Sequence, residues 1–184
     1  MKQISKASLA ACLLGSLAMT NTPSLAQNAA AEAQEIDYAG FALLTNEVAS
    51  IRQERLLPLG DFQKFAAEEG TLILDTRSVA AFKQGHVKGA VNLPFSDFTE
   101  EKLTEVIGSD KTRKILIYCN NNFSDNAPPV LLKKAPLALN IPTFINLVGY
   151  GYTNVWELGD TVTTKDVDWV GTSTQGLFAA QLPR

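Results

Sequence analysis

The chain has 184 residues, with 16 Lys and Arg, 19 Asp and Glu, and a formal net charge of −3. Hydrophobic residues make up 46% of it and charged residues 19%, a balance typical of a globular domain and not of a disordered chain. The mildly acidic balance argues against nucleic acid as a partner, because phosphate binding needs clustered positive charge.

Residues 1–26 have the features of a secretory signal peptide. Lys2 and Lys6 give a basic start, and the apolar stretch from Ala7 to Met19 is too short to cross a bilayer as an ordinary helix. Small residues precede the expected cleavage point after Ala26. We therefore expect an exported protein, periplasmic or secreted, that is not an integral membrane protein.

A lipoprotein cleavage sequence, Leu9-Ala10-Ala11-Cys12, is the alternative, in which Cys12 would carry a lipid anchor. The apolar stretch between Lys6 and Cys12 is short for such cleavage, so lipidation is the second interpretation. Once the signal peptide is removed, Cys119 is the only cysteine and can form no internal disulfide. Cys119 is then either a small buried hydrophobe or a reactive thiol.

The chain after the signal peptide divides by pattern into an extension, a domain and a tail. Residues 27–55 predict a flexible tether and an N-terminal extension, with a short helix around Leu44 to Ile51. The domain is predicted at 56–160 and a tail without clear pattern at 161–184. At the start of the domain, Asp61 to Glu69 reads as an amphipathic helix.

Continuous apolar runs are the clearest structural signal in the domain. They predict a strand buried on both faces at Thr71 to Asp75 and a second buried strand at Ile115 to Tyr118, and Val155 to Leu158 is expected as a further strand. A brief strand is expected at Val91 to Pro94, and Ser78 and either Asp97 or Thr99 mark the starts of two helices. Alternating strands and helices indicate an α/β domain with a central parallel sheet and helices on both faces. Any site should lie at the carboxyl ends of the strands.

Residues 120–142 are predicted to be an insertion. Its prolines rule out one continuous helix leaving Cys119. A separate helix is expected near Thr143, ending at Gly149 or Gly151.

Three stretches together resemble the rhodanese family: Leu74-Asp75-Thr76-Arg77, the FKQGHVKGAVNLP run from Phe82 to Pro94, and Ile117-Tyr118-Cys119. They match the family's D-x-R and F-x-x-G-H-I-x-G-A-x-N-x-P patterns in the usual order. The resemblance implies a parallel sheet with a cysteine on the loop after the fourth strand. In active members that cysteine takes sulfane sulfur from a small donor such as thiosulfate. It passes the sulfur, as a persulfide, to a thiol or cyanide-like acceptor, without metal or other cofactor.

By this resemblance Cys119 is the sulfur carrier. The active-site loop comprises Asn120, Asn121, Asn122, Phe123, Ser124 and Asp125. Asp75, Arg77 and His86 match supporting positions, and we expect Arg77 to pair with a nearby carboxylate and His86 to bond to backbone.

The loop after Cys119 departs from the family, since it has neither the Gly nor the Arg that commonly hold an anionic sulfur. Asn residues can adopt left-handed conformations, so a nest of N–H groups is still possible. The negative charge of Asp125 would oppose an anionic sulfur, and the insertion displaces the helix whose dipole should stabilise it. We therefore expect a less acidic thiol. A phosphatase of this fold would need arginine at the position of Asp125, so phosphoryl transfer is disfavoured. A thioredoxin-type oxidoreductase is also disfavoured, because the sequence has no Cys-x-x-Cys pair.

Two hypotheses follow. The first is an exported sulfurtransferase that acts through a Cys119 persulfide. The second is a catalytically silent module that binds a protein partner or small ligand through the loop 120–142, whose apolar pieces include Val130 to Leu132.

Overall fold

The computed structural model describes residues 36–171. The chain divides after Asp37 into two compact units, and the elements below all belong to the second. Its central sheet has five parallel strands in the order β1-β6-β5-β2-β4. These strands are β1 (Leu56–Leu57), β2 (Leu72–Asp75), β4 (Ala90–Asn92), β5 (Ile115–Tyr118) and β6 (Val155–Leu158). The predicted α/β class with a parallel sheet is confirmed.

Five helices accompany the sheet: α1 (Tyr38–Gln53), α2 (Leu59–Ala66), α3 (Val79–Gln84), α4 (Glu100–Ile107) and α5 (Asn140–Gly149). The predicted caps are present, because Ser78 Oγ accepts from the Ala81 N–H and Thr99 Oγ1 from the Lys102 N–H. Gly108 ends α4 with a φ of 101°. Short 3₁₀ turns lie at Phe95–Asp97, Asn120–Asn122 and Ala135–Leu137.

Side chains of β5 alternate between two hydrophobic clusters, one on each face of the sheet. Ile115 and Ile117 belong to the cluster that also holds residues of α1, α4 and α5. Leu116 and Tyr118 belong to the cluster that also holds Phe62 of α2. The unbroken apolar run of β5 is therefore explained by burial on both faces, as the sequence predicts.

Two helices differ from their predicted bounds. The helix expected at Leu44 to Ile51 is part of the longer α1, whose Val48 is buried in the core. The helix expected near Thr143 begins three residues earlier, at Asn140. Pro142 lies in its first turn, where the missing N–H has no intrahelical partner to lose.

A strand beyond residue 160 has no counterpart in the sequence prediction. β7 (Trp169–Gly171) pairs antiparallel with β3 (Gly85–Val87), which lies between α3 and β4. Gly85 is required here, because a Cβ on it would lie 2.4 Å from Nε1 of Trp169. The segment that was expected to be a patternless tail thus packs on the second cluster through Val162, Val167 and Trp169.

The predicted signal peptide, the Cys12 alternative and most of the tether lie outside the described residues, as does the chain after Gly171. Within residues 36–171, no helix has both the length and the apolar character needed to cross a membrane.

Candidate active site

Cys119 follows β5 directly, at the carboxyl edge of the sheet. It is the N-terminal cap of the 3₁₀ turn Asn120–Asn122, and its exposed fraction is 0%. It nevertheless borders a cavity of about 240 Å³. The other lining groups that matter below come from four elements: Asn121 and Asn122 from the turn, Asn140 from α5, Glu157 from β6 and Arg52 from α1.

The Cys119 thiol is held in an environment with opposing effects on its pKa. Burial raises the pKa above its ordinary value and is the largest effect. Hydrogen bonds to the sulfur from the backbone N–H groups of Asn140, Asn121 and Leu139 lower the pKa, and the charge of Glu157 raises it. The pKa of the thiol is raised overall, as the sequence predicts. The main reason is burial of the sulfur and not a lack of N–H groups around it.

The insertion does not remove the helix N-terminus from the sulfur, so that part of the sequence prediction is wrong. Leu139 and Asn140 are the cap and first residue of α5, Asn140 lines the same cavity as Cys119, and the backbone N–H groups of both residues lower the pKa of the thiol. Nor does the turn use left-handed asparagines, since within the described chain the only non-glycine residue with positive φ is Asn126. The N–H groups near the sulfur, called the N–H cradle below, come instead from two separate segments: the turn after Cys119 and the start of α5.

Asn122 fixes the position of Cys119. Its Oδ1 accepts from the Cys119 N–H at 2.9 Å and from Nδ2 of Asn140 at 3.0 Å. Its Nδ2 donates to the carbonyl of Leu158 at 2.7 Å, at the end of β6. Asn122 is buried with both ends of its amide bonded, so it ties the turn to α5 and to the neighbouring strand.

Asn140 extends the same network to a buried carboxylate. Its Nδ2 also donates to Oε1 of Glu157 at 3.1 Å, while its buried Oδ1 has no hydrogen-bond partner. Glu157 in turn accepts from Nε of Arg52 at 2.5 Å and from Nη2 of Arg52 at 2.6 Å. A bidentate ion pair therefore lies in the wall of the cavity that Cys119 borders.

Asn120 and Asn121 fasten the insertion beside the cysteine. Nδ2 of Asn120 donates to the carbonyl of Leu131. Asn121 bonds to the backbone of Lys133 in both directions, with Nδ2 donating to its carbonyl and Oδ1 accepting from its N–H. The side chain of Asn121 thus bonds as a paired strand backbone would, and it holds residues 131–133 beside the turn.

Phe123, Ser124 and Asp125 were predicted as active-site loop residues, but they are directed to the C-terminal segment. Phe123 is buried against the Trp169 ring, with ring centroids 5.2 Å apart. The Ser124 N–H donates to the carbonyl of Val162, and Asp125 accepts from the Thr164 N–H and hydroxyl. None of the three lines the Cys119 cavity, and the carboxylate expected to weaken the sulfur cradle binds Thr164 instead.

Asp75 and Arg77 form a buried ion pair on the other side of β5. Nη2 of Arg77 donates to Oδ2 of Asp75 at 2.5 Å and to the carbonyl of Gly85 at 2.8 Å. The Tyr118 hydroxyl donates to the same Oδ2, and burial raises the pKa of that hydroxyl well above its ordinary value. The carboxylate partner expected for Arg77 is therefore Asp75.

His86 has a local role in the structure. Its Nδ1 donates to the carbonyl of Phe82 at 2.8 Å, and its ring stacks on the Phe82 ring with centroids 3.8 Å apart. Neither His86 nor the Asp75–Arg77 pair lines the Cys119 cavity. Arg77 lines a second cavity of about 540 Å³, together with Ser78, the Phe95–Asp97 turn and Asn120. No cluster of His, Cys, Asp and Glu in residues 36–171 could hold a metal ion.

Sequence reasoning missed the three residues that connect Cys119 to a charge: Asn140, Glu157 and Arg52. One signal for Glu157 is present, because a carboxylate inside the apolar run Val155–Leu158 must find a partner when the strand is buried. No local signal marks Arg52, which lies 105 residues from Glu157.

Comparison with known proteins agrees with this fold. The model of the rhodanese-like domain family matches residues 59–159, more than half of the chain, and the chain belongs to that family. No curated protein matches it in sequence.

Several solved structures resemble the chain at low identity. The Alr3790 protein from Anabaena sp. is 18% identical, with a TM-score of 0.45 over 67% of this chain and 99% of its own. The BH2092 protein from Bacillus halodurans is 16% identical, with a TM-score of 0.44 over 71% of this chain and 89% of its own. EanB, which has also been solved with hercynine, is 19% identical, with a TM-score of 0.40 over 56% of this chain and 23% of its own.

Proposed function

We propose that the protein is an exported sulfurtransferase, in which Cys119 accepts sulfane sulfur from a small donor and passes it to a nucleophilic acceptor. The observation that carries this proposal is the surroundings of Cys119: it borders a cavity that the N-terminus of α5 also lines, and the backbone N–H groups of Asn121, Leu139 and Asn140 lower the pKa of its thiol. Such N–H groups at a helix N-terminus favour an anion, and both a thiolate and a persulfide are anions. The signal-peptide features of residues 1–26 support export.

The reaction proceeds in two transfers of one sulfur atom. The Cys119 thiol loses its proton to solvent, and the thiolate attacks the outer sulfur of the donor. With thiosulfate, a bond forms between the two sulfurs while the donor's S–S bond breaks, and sulfite leaves with the electron pair. An acceptor nucleophile then attacks the outer sulfur of the persulfide, and Cys119 leaves as the thiolate.

The size and closure of the site restrict the donor. A cavity of about 240 Å³ has room for a small inorganic donor, and Cys119 has no exposed surface in the closed arrangement. Residues 131–133 are held beside the turn by Asn120 and Asn121. We propose that this segment moves aside to admit the donor, so loading is slow where the Asn121 bonds are intact.

Incubation with thiosulfate or inorganic polysulfide tests the proposal by intact mass. We expect the protein to gain one sulfur atom at Cys119, and cyanide to remove it. Cys119→Ser is the control and should gain none, while Asn121→Ala should load faster because it keeps the N–H cradle but loses two bonds to Lys133. Failure of the wild-type protein to gain sulfur from either donor would overturn the proposal.

A second candidate function rests on exposed apolar side chains in the insertion. Leu131, Leu132 and Leu137 are each about half exposed or more, which is unusual for one short segment. Here the protein is a catalytically silent module that binds a protein partner through the insertion. Cys119→Ser separates the two functions, because it abolishes a phenotype that depends on sulfur transfer and leaves partner binding unchanged.

A further inference from the structure

Arg52 lies outside the segment that matches the rhodanese-like family, which begins at residue 59. It nevertheless lines the cavity that Cys119 borders. α1 carries Arg52 into this position, and Val48 of the same helix is anchored in the core one turn earlier. The part of the N-terminal extension that forms α1 therefore contributes to the site.

Arg52 and Glu157 are the two charged residues that line this cavity in the described part of the chain. Glu157 is 5% exposed and is held in place by Arg52 and Asn140. The charge of Glu157 raises the pKa of the Cys119 thiol. The hydrogen bond to Glu157 is the main cause of the raised pKa of Arg52, and the Cys119 thiolate raises that pKa further, so the sulfur and the guanidinium attract each other when both are charged.

Arg52 also keeps a side open to the cavity. Its side chain is 34% exposed, and Glu157 takes the Nε proton and one Nη2 proton, which leaves further donors on the guanidinium. Residues 120–142 contribute no cation to the cavity. Those among them that line it are asparagines and apolar residues.

We propose that Arg52 is the positioning residue that supplies the positive charge of the Cys119 site. The charge of Arg52 offsets that of Glu157 while the Cys119 thiol is protonated. When the thiol loses its proton, the same charge stabilises the thiolate. The same charge stabilises the persulfide, and that part rests on the proposed function.

The experiment compares the alkylation rate of Cys119 across pH in single and double variants. Iodoacetamide is the probe, the full chain is used, and mass spectrometry of the peptide containing Cys119 gives the rate. Arg52→Gln should lower the rate near pH 8 about tenfold, the equivalent of about one pKa unit. Glu157→Gln should raise the rate, and the double variant should return toward wild type because both charges are gone.

Two further variants control for loss of structure. Arg55 follows α1 and lies over the Trp156 ring at 4.3 Å without lining the cavity, so Arg55→Gln should leave the pH profile unchanged. Arg52→Lys keeps the charge and should retain much of the wild-type rate. A purely structural role would expose the thiol and accelerate alkylation in both Arg52→Gln and Glu157→Gln. Opposite directions therefore support the proposal, and equal directions or no change in Arg52→Gln overturn it.

Sulfur loading of the wild-type protein, measured in parallel, separates this proposal from the function it deepens. If the wild type gains sulfur while Arg52→Gln has an unchanged pH profile, the role of Arg52 is refuted and sulfur transfer is not. If Arg52→Gln shifts the profile while the wild type gains no sulfur, the charge assignment holds and sulfur transfer is refuted.

Discussion

Two arginine–carboxylate pairs lie on opposite sides of β5. Arg77 and Asp75 are two residues apart, and their side chains are 2% and 0% exposed. Arg52 and Glu157 come from α1 and β6, 105 residues apart, and the arginine is 34% exposed. Both pairs have a bidentate geometry, with shortest distances of 2.5 Å.

The pairs differ in what else their charges contact. Arg77 also donates to the carbonyls of Gly85 and Pro129, and Asp75 also accepts from Tyr118, so this pair binds three parts of the chain together. Arg52 and Glu157 line the cavity that Cys119 borders. The comparison indicates that the first pair is scaffold, and it agrees with the proposal that the second sets the charge around the Cys119 sulfur.

Arg77→Ala should have the largest effect on stability. It leaves the Asp75 carboxylate buried without its cation, and breaking a buried pair in this way costs about 3–5 kcal/mol of unfolding free energy. Urea unfolding measures it. Lys102→Ala, in the exposed pair with Glu105, is the matched control and should cost far less, because solvent screens an exposed pair. A loss at Arg77 no larger than that of the control would remove the distinction between scaffold and surface pair.

Asn122→Ala should have the next largest effect, and it tests how the cysteine side of β5 is held. The change leaves the Cys119 N–H and the Leu158 carbonyl without their bonds, which costs about 1–3 kcal/mol where the groups are buried. Asn154→Ala is the control: it also removes two bonds, an exposed one to the Thr112 carbonyl and a part-buried one from Nε1 of Trp156, and it lies outside the Cys119 cavity. Equal urea midpoints for the two variants would show that the bonds of Asn122 stabilise the protein no more than those of Asn154.

The two pairs were not equally predictable from the sequence. Asp75 and Arg77 are neighbours at the end of an apolar run, and the family resemblance covers both, so their partnership could be anticipated. The same holds for β2, β5, β6 and the capped helices, because apolar periodicity and capping residues are local signals. Arg52 could not be predicted, because its partner lies on the last strand of the central sheet.

Long-range contacts explain the other differences too. β7 has only the residues Trp169–Gly171 and pairs with β3, far back in the chain. The approach of Leu139 and Asn140 to Cys119 depends on how residues 120–138 fold back, and no local pattern encodes that path. Cys119 could therefore be located from the sequence, but the groups that set its charge required the tertiary structure.

The titration of Cys119 gives the smallest expected effect on stability and bears only on its side of β5. Burial raises the folded pKa of the thiol above its unfolded value of about 8.5, so the folded protein keeps a proton that the unfolded chain releases. The stability from this difference is complete below the unfolded pKa and is lost as pH rises through the folded pKa.

Wild type should therefore lose unfolding free energy relative to Cys119→Ala between about pH 8.5 and the folded pKa, by about 1.4 kcal/mol for each unit of pKa difference. Tyr118, whose pKa is also raised, is present in both proteins and cancels in the comparison. Urea unfolding at stepped pH under reducing conditions measures it. Parallel curves would mean that the Cys119 pKa is unchanged by folding, in which case the N–H cradle and Arg52 fully offset the burial of the sulfur.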